Sequence, residues 1–508
     1  MWRVAHLLLL LLFCSALASA QPYAPHAIWS REGAGDSSLY GSQILALGDQ
    51  NDDGFNDFAV YASGLGYAPQ GSPNEPKVEF FHGGNPPDTI PYMVRVKDPA
   101  TEVAVRGAQA VGDLNGDGYT DWFIFTSYLG DSTAAHIYKI YFGGPGPHEV
   151  PDLVIRSLSC APIGDFNGDG FDDLLLLVDA GSGIRRSQAL AGGNPMDTLP
   201  DWTRAPILSV RGTRDVNGDH FSDFICDTGS SYGPPLFLGG SNPDTIPAYI
   251  FSSVDVFSGT ILSDVNDDGY DEVAHGETGG ASIIWGASII DTSATWRLNF
   301  PCSGGGPGGI VSAGDFNHDG FRDIVMAAGY CENNYAGVLT LHLGGQWINP
   351  TPVFVIYGWT DPFNLIHFKT AVNLGDINGD HIDDLAIGAN GGIEYAAQRG
   401  KVVILGGDSG LHAAADPVIL HPSAFSLSVY PNPFNSSTTV ELSLPAYSKE
   451  VNLVVYNLLG QAVSRAVAPV SAGTVRYRYD ASALASGLYL LQVSSGSLQT
   501  TTKLMVLK

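Results

Sequence analysis

Apolar residues in this chain come in short runs, each fenced by Asp, Asn and Gly. Leu174 to Leu177, Trp122 to Phe125 and Leu385 to Ile387 each follow directly on an acid-rich turn, and none continues at helical spacing. Runs so short and so apolar predict strands that are buried on both faces. A second short apolar strand precedes each turn. After the buried strand comes a variable Gly-, Ser- and Tyr-rich stretch, and then a third strand that closes on paired glycines. The paired ends are Phe81 to Gly84, Tyr141 to Gly144, Leu190 to Gly193, Phe237 to Gly240, Leu343 to Gly345 and Leu405 to Gly407, with Trp285-Gly286-Ala287 as the variant. A connector such as Pro87 to Pro91 or Pro243 to Pro247 then leads to a fourth strand, such as Tyr92 to Val96 or Val353 to Ile356.

The turn recurs seven times, at steps of 64, 52, 50, 49, 51 and 61 residues. Its first position is Asp49, Asp113, Asp165, Asp215, Asp264, Asp315 and Asp376. The third is Asn51, Asn115, Asn167, Asn217, Asn266, Asn317 and Asn378, and the fifth is Asp53, Asp117, Asp169, Asp219, Asp268, Asp319 and Asp380. The ninth is Asp57, Asp121, Asp173, Asp223, Glu272, Asp323 and Asp384. The seventh, which offers only its carbonyl, is Phe55, Tyr119, Phe171, Phe221, Tyr270, Phe321 and Ile382. Hard oxygens at alternate positions around a sharp turn are what Ca²⁺ requires, so up to seven structural calcium ions are expected. Magnesium is the weaker alternative, since it prefers an octahedral shell that keeps its waters.

An EF-hand opens in the same way but needs a bidentate Glu at position twelve and flanking helices. Position twelve here is Val60, Ile124, Leu176, Cys226, His275, Met326 and Ile387, and the flanks are strands. Four strands in roughly 50 residues, repeated seven times, predict an all-β, seven-bladed propeller over residues 21–422. Eight outer strands compete for seven blades, so either Ala27 to Ser30 or Pro417 to Leu420 is expected to close the ring.

Net charge is −28, but 21 of the 52 acids belong to the turns, and the remaining 31 nearly balance 24 bases. The acidity is therefore ligand charge, and with no basic stripe to meet phosphates nucleic acid is excluded as a partner. Residues 1–20 read as a signal peptide, with Arg3, the apolar Leu7 to Phe13 and the small-residue site Ala18-Ser-Ala20. Four cysteines follow it: a Cys302–Cys331 disulfide is expected, and Cys160 and Cys226 are expected as buried thiols.

From about Ala424 the acid turns stop and short alternating strands take over, which predicts a small immunoglobulin-like β-sandwich over 423–508.

The repeats resemble FG-GAP repeats, the units of the integrin α-chain propeller, over about residues 30–420, with Phe142-Gly143-Gly144 the clearest paired-glycine end. The resemblance implies seven blades with calcium loops between the first two strands of a blade. The chain departs from it in carrying a loop in every repeat, and in having His220 and His381 at position six, where Gly is usual. The final segment resembles the type A sorting domain of type IX secretion, through Tyr430-Pro-Asn-Pro433, Asn457-Leu-Leu-Gly-Gln461, Ser486-Gly-Leu-Tyr489 and Lys503 to Lys508. That resemblance implies partnership with the secretion machinery, export across an outer membrane, and either release or surface association.

No GxSxG, HExxH or phosphate-binding glycine loop occurs, and His82, His220, His318 and His381 read as surface residues. The leading expectation is a non-enzymatic adhesion or ligand-binding module whose extracellular partner is a protein or glycan. Tyr61 to Lys77, Ser127 to His136 and Gly329 to Gly337 are the candidate contact stretches. An enzyme acting on extracellular polysaccharide or lipid from the propeller channel is the alternative, as is a structural spacer.

Overall fold

The computed structural model describes residues 26–508 apart from 65–67, 129–134, 147, 182–183, 197, 229–232, 244, 252–257, 293–294, 303–305, 330–336, 359–367, 390–398, 413–417, 421–425, 444–449, 458–460, 470–473 and 496–497. Among these residues there is no helix. The expected signal peptide lies outside them, as do the larger parts of two candidate contact stretches, 127–136 and 329–337.

Among the described residues the repeats build seven sheets, antiparallel except for one added strand in the sixth. The first is made of Tyr40–Gly48, Asp57–Ala62, Lys77–Phe81 and Met93–Val96, in that spatial order. The acid turn joins its first two strands, and the other sheets follow the same plan. The first strands lie one against the next around a complete circuit, from Tyr40–Gly48 through to Phe368–Gly375, which in turn lies against Tyr40–Gly48. This is the arrangement of a β-propeller.

The middle strands show why the sheets stack. In Asp57–Ala62 every residue is buried. Phe58, Val60 and Ala62 pack into one core with Ala386, Val402 and Ile404 of the seventh sheet. Ala59 and Tyr61, on the other face, pack with Trp122, Ile124 and Tyr141 of the second. Alternate side chains on a strand point to opposite faces, so one apolar run feeds two interfaces. Truncating such a residue, Phe58→Ala for instance, costs about 3–5 kcal/mol.

The two strands competing to close the ring have different fates. Ala27–Glu32 pairs antiparallel with Lys401–Leu405 and becomes the outer strand of the seventh sheet. Trp29 anchors it, edge-on to Phe58 and Phe81 of the first sheet, with ring centroids 5.1 and 5.2 Å away. Val418–Leu420 instead adds a fifth, parallel strand to the sixth sheet, beside Phe354–Tyr357.

The C-terminal strands form a three-stranded sheet (Ser426–Tyr430, Ser437–Ser443, Thr474–Asp480) and a four-stranded sheet (Ala462–Pro469, Glu450–Tyr456, Gly487–Ser495, Leu498–Val506). Val440, Leu442 and Val475 of one sheet share a core with Val451, Leu453, Leu491 and Leu504 of the other. The division of strands, first, second and fifth against the rest, is that of an immunoglobulin-like sandwich. The Asn432 side chain ties the turn after the first of these strands to the last strand, donating to Lys503 O at 2.7 Å and accepting from Met505 N at 2.8 Å.

Cys160 and Cys226 are buried free thiols, and burial pushes the Cys226 thiol up to about 12. Cys302 is disulfide-bonded, while Cys331 lies outside the described residues.

Candidate metal centres

Each acid turn is wound around its first carboxylate. In the third repeat Asp165 accepts N–H bonds from Gly168, Asp169 and Gly170 at 2.7, 3.0 and 3.0 Å. Asn167 Oδ1 accepts from Asp169 N at 2.8 Å, and Asp169 Oδ1 from Phe171 N at 3.0 Å. Successive N–H groups therefore converge on three side chains, which brings the acids together despite their mutual repulsion. The sixth position donates to the first carboxylate even where it is histidine: His220 to Asp215 at 2.7 Å, and His381 to Asp376 at 2.8 Å. Both histidines adopt left-handed backbone, φ 68° and 67°, as the turn demands.

The ninth position does more than the sequence suggested. Asp121, fully buried, accepts from Leu114 N at 2.7 Å with one oxygen and from Gly143 N at 2.7 Å with the other. Asp57, Asp173, Asp223, Asp323 and Asp384 repeat this clamp with Gly83, Gly192, Gly239, Gly344 and Gly407. The paired glycines and the closing acid are thus partners. The first glycine of the pair cannot carry a side chain, since a Cβ on Gly143 would lie 2.6 Å from Thr120 O. In the seventh repeat the clamped glycine is Gly407 and its successor is Asp408, so the working pair is one residue later than Gly406-Gly407.

The fifth repeat differs. Glu272 accepts from Val265 N at 2.9 Å through Oε2, while Oε1 is buried with no hydrogen-bond partner. Its carboxylate reaches instead toward the turn: ligand oxygens of Asp264, Asp268 and Glu272 all lie within 4.8 Å of one another. Among the described residues it is the only such acidic triad. In the other six repeats the acids at positions one, five and nine surround the same turn without meeting that closely.

Burial pushes the closing carboxyls up, opposed by their N–H partners where present and reinforced by the neighbouring acids. Asp121, Asp173, Asp223 and Asp384 rise to about 7, Asp323 to about 8 and Glu272 to about 9. Asp57 is also raised.

The turns are joined to one another. The second residue of each glycine pair donates its N–H to the second-position carbonyl of the preceding turn: Gly84 to Ile377, Gly193 to Leu114, Gly240 to Phe166, Ala287 to Val216, Gly345 to Val265 and Asp408 to Phe316, at 2.7–3.0 Å. At the remaining junction, Gly144 N donates to the Gln50 side chain at 3.0 Å. The seventh-position rings add to this. Phe55, Phe171, Phe221 and Tyr270 lie over the fourth-position glycines of the preceding turns, and Tyr119 donates its hydroxyl to Asp52 at 2.7 Å.

The residues present suit calcium. The donors are carboxylate and amide oxygens, with buried acceptors that no protein N–H satisfies, Glu272 Oε1 and Asn317 Oδ1. When bound, the ion would offset the repulsion of the clustered acids.

Three features escaped the sequence reading: the N–H clamp of the closing acid, the left-handed fourth position (Asp52, Asp267 and His318, φ 57–61°), and the bridge made by Gln50. Only the last had a visible signal, since Gln50 is polar where the other turns have Leu114, Phe166, Val216, Val265, Phe316 and Ile377.

Residues 307–342 and 370–405 match the FG-GAP repeat family, and residues 428–507 match the secretion system C-terminal sorting domain. The chain is similar to integrin alpha-V of Gallus gallus, 23% identical over 269 residues, which is 51% of this chain and 22% of that protein. The chain thus spans about a fifth of the length of that curated relative. It carries FG-GAP repeats within a β-propeller and ends in a C-terminal sorting domain of type IX secretion, which directs it to the cell surface or beyond.

Proposed function

We propose that the chain is a non-enzymatic ligand-binding or adhesion module, exported by type IX secretion after loss of a signal peptide at residues 1–20. Its seven sheets, within residues 21–422, are the blades of one ring braced by structural calcium, and residues 423–508 are the sorting domain. In each turn the ion is held by the side chains at positions one, three, five and nine and the carbonyl at position seven. Affinity lies in the range of extracellular modules, about 10⁻⁴ to 10⁻³ M. Cys302 pairs with Cys331.

The observation that carries this reading is the acid triad Asp264, Asp268 and Glu272, with one buried oxygen left unsatisfied, repeated in outline at six equivalent turns. A cation binding there stabilises the folded state by linkage, because the unfolded chain has no preformed site. The test is thermal unfolding in calcium and in excess chelator. A midpoint several degrees higher in calcium supports the reading, and an unchanged midpoint removes the metal. Glycan-array and cell-binding assays on the full chain then separate a binding module from a spacer.

A further inference from the structure

The junction between the first and second sheets is built differently from the other six. There the second-glycine N–H meets not a backbone carbonyl but Gln50 Oε1, while Gln50 Nε2 donates to Leu47 O at 2.6 Å and Thr120 O at 3.0 Å. A side chain has been inserted where elsewhere two turns touch directly. Beside it lies a cleft of about 410 Å³, lined by Asn51 and His82 from the first sheet's side and by Gly144, Pro145 and His148 from the second's. His82 stacks on Tyr92 at 3.9 Å, and its Nδ1 lies 3.0 Å from the Asn51 amide nitrogen.

Arg95 also lines this cleft. Its guanidinium sits 5.8 Å from the Tyr141 ring centroid and donates to His148 O, and its Nε is buried without a partner. The equivalent arginine at the seventh-to-first junction is Arg31, 5.3 Å from the Phe81 ring centroid. Arg31 is neutralised by Glu79 at 3.2 Å. In the second sheet the strand position matching Glu79 is Lys139, which is engaged by Glu102 at 2.5 Å. Among the described residues no carboxylate lies within ion-pair distance of Arg95, although the exposed Glu149 stands at the mouth of the cleft. Arg95 is thus a half-buried cation with no counter-charge among the described residues, which leaves it open to an anion.

We propose that this cleft is the binding site for a small carboxylate, with Arg95 supplying the counter-charge and Gln50 holding the two sheets apart to admit it. The proposal rests on the reading of the ring as a ligand-binding module and names the chemistry of its ligand.

The experiment is saturation-transfer NMR on the full chain with sodium glucuronate, sodium glutamate and, as the neutral control, glucose. At least one carboxylate should bind and glucose should not; which of the two binds distinguishes an acidic sugar from an acidic amino acid. Arg95→Met should weaken that binding about tenfold, as expected for loss of one charge-assisted pair. Glu149→Gln, which removes the competing charge at the mouth, should strengthen it. Binding of neither carboxylate, equal binding of glucose, or wild-type affinity in Arg95→Met overturns the proposal. If Arg95→Met does not fold, Arg95→Lys and Glu149→Gln decide: unchanged binding in both also overturns it. The calcium-induced shift in thermal midpoint is measured on the same samples, so failure of the metal reading is seen separately from failure of the cleft.

Discussion

The fifth acid turn and its six counterparts share one ligand pattern and use it differently. Six closing aspartates each hold two backbone N–H groups, one within the turn and one at the end of the third strand. Glu272 holds one, leaves its second oxygen without a hydrogen-bond partner, and brings its carboxylate within 4.8 Å of Asp264 and Asp268. The difference is one methylene. The shorter arm goes with a carboxylate held on the glycine N–H, and the longer arm with one that lies close to the other acids. The ninth residue is therefore a clamp as much as a ligand, and the balance between the two roles varies around the ring.

The largest effect should come from removing a full clamp. Asp121→Ala leaves Leu114 N and Gly143 N unpaired in a buried site, and should cost about 2–5 kcal/mol in urea unfolding even without calcium. Glu272→Ala in chelator should cost less, about 1–3 kcal/mol, because only Val265 N is orphaned. Equal losses would erase the distinction between the two turn types.

Calcium sharpens the contrast in the opposite direction. Glu272→Gln should reduce the calcium-dependent rise in thermal midpoint while leaving the midpoint in chelator near pH 5 almost unchanged, since the amide oxygen can still accept from Val265 N. A rise of the wild-type size would mean that the fifth triad holds no metal.

The metal-free turns should also depend on pH. The closing carboxyls are raised above their ordinary values, so in the metal-free protein they hold protons that the unfolded chain has released. Their contribution is full below about pH 4 and is lost as pH rises, through about 7 for the Asp121 set, about 8 for Asp323 and about 9 for Glu272. Metal-free thermal midpoints should therefore fall from pH 5 to pH 9. The slope should be steeper at its alkaline end in wild type than in Glu272→Gln, which has lost the highest of these steps.

The last comparison is between junctions. Gln50→Leu restores an apolar second position but leaves Gly144 N without its acceptor. It should cost about 1–3 kcal/mol, and hydrogen exchange should show the loss confined to the contact between the first and second sheets. A loss spread evenly over all seven sheets would show that this junction is no different from the rest.

Features that depend on near neighbours could be read directly from the chain. The acid turns were legible because their ligands fall within nine residues, and the strands because burial on both faces leaves an unbroken apolar run, as in Leu174 to Leu177. The tail was legible from alternation and from Tyr430-Pro-Asn-Pro433, whose Asn432 does hold the final strand. Which strand closes the ring was settled by packing, since Ala27 to Trp29 and Val418–Leu420 are both short and apolar, and pairing rests on the position of Trp29 between the first and seventh sheets. Packing also settled that the closing acid meets a glycine about twenty residues away, that the seventh glycine pair is shifted by one, and that Gln50 replaces a carbonyl. Hydrogen bonds between turns follow from how neighbouring sheets stack, and that geometry leaves no period in the chain.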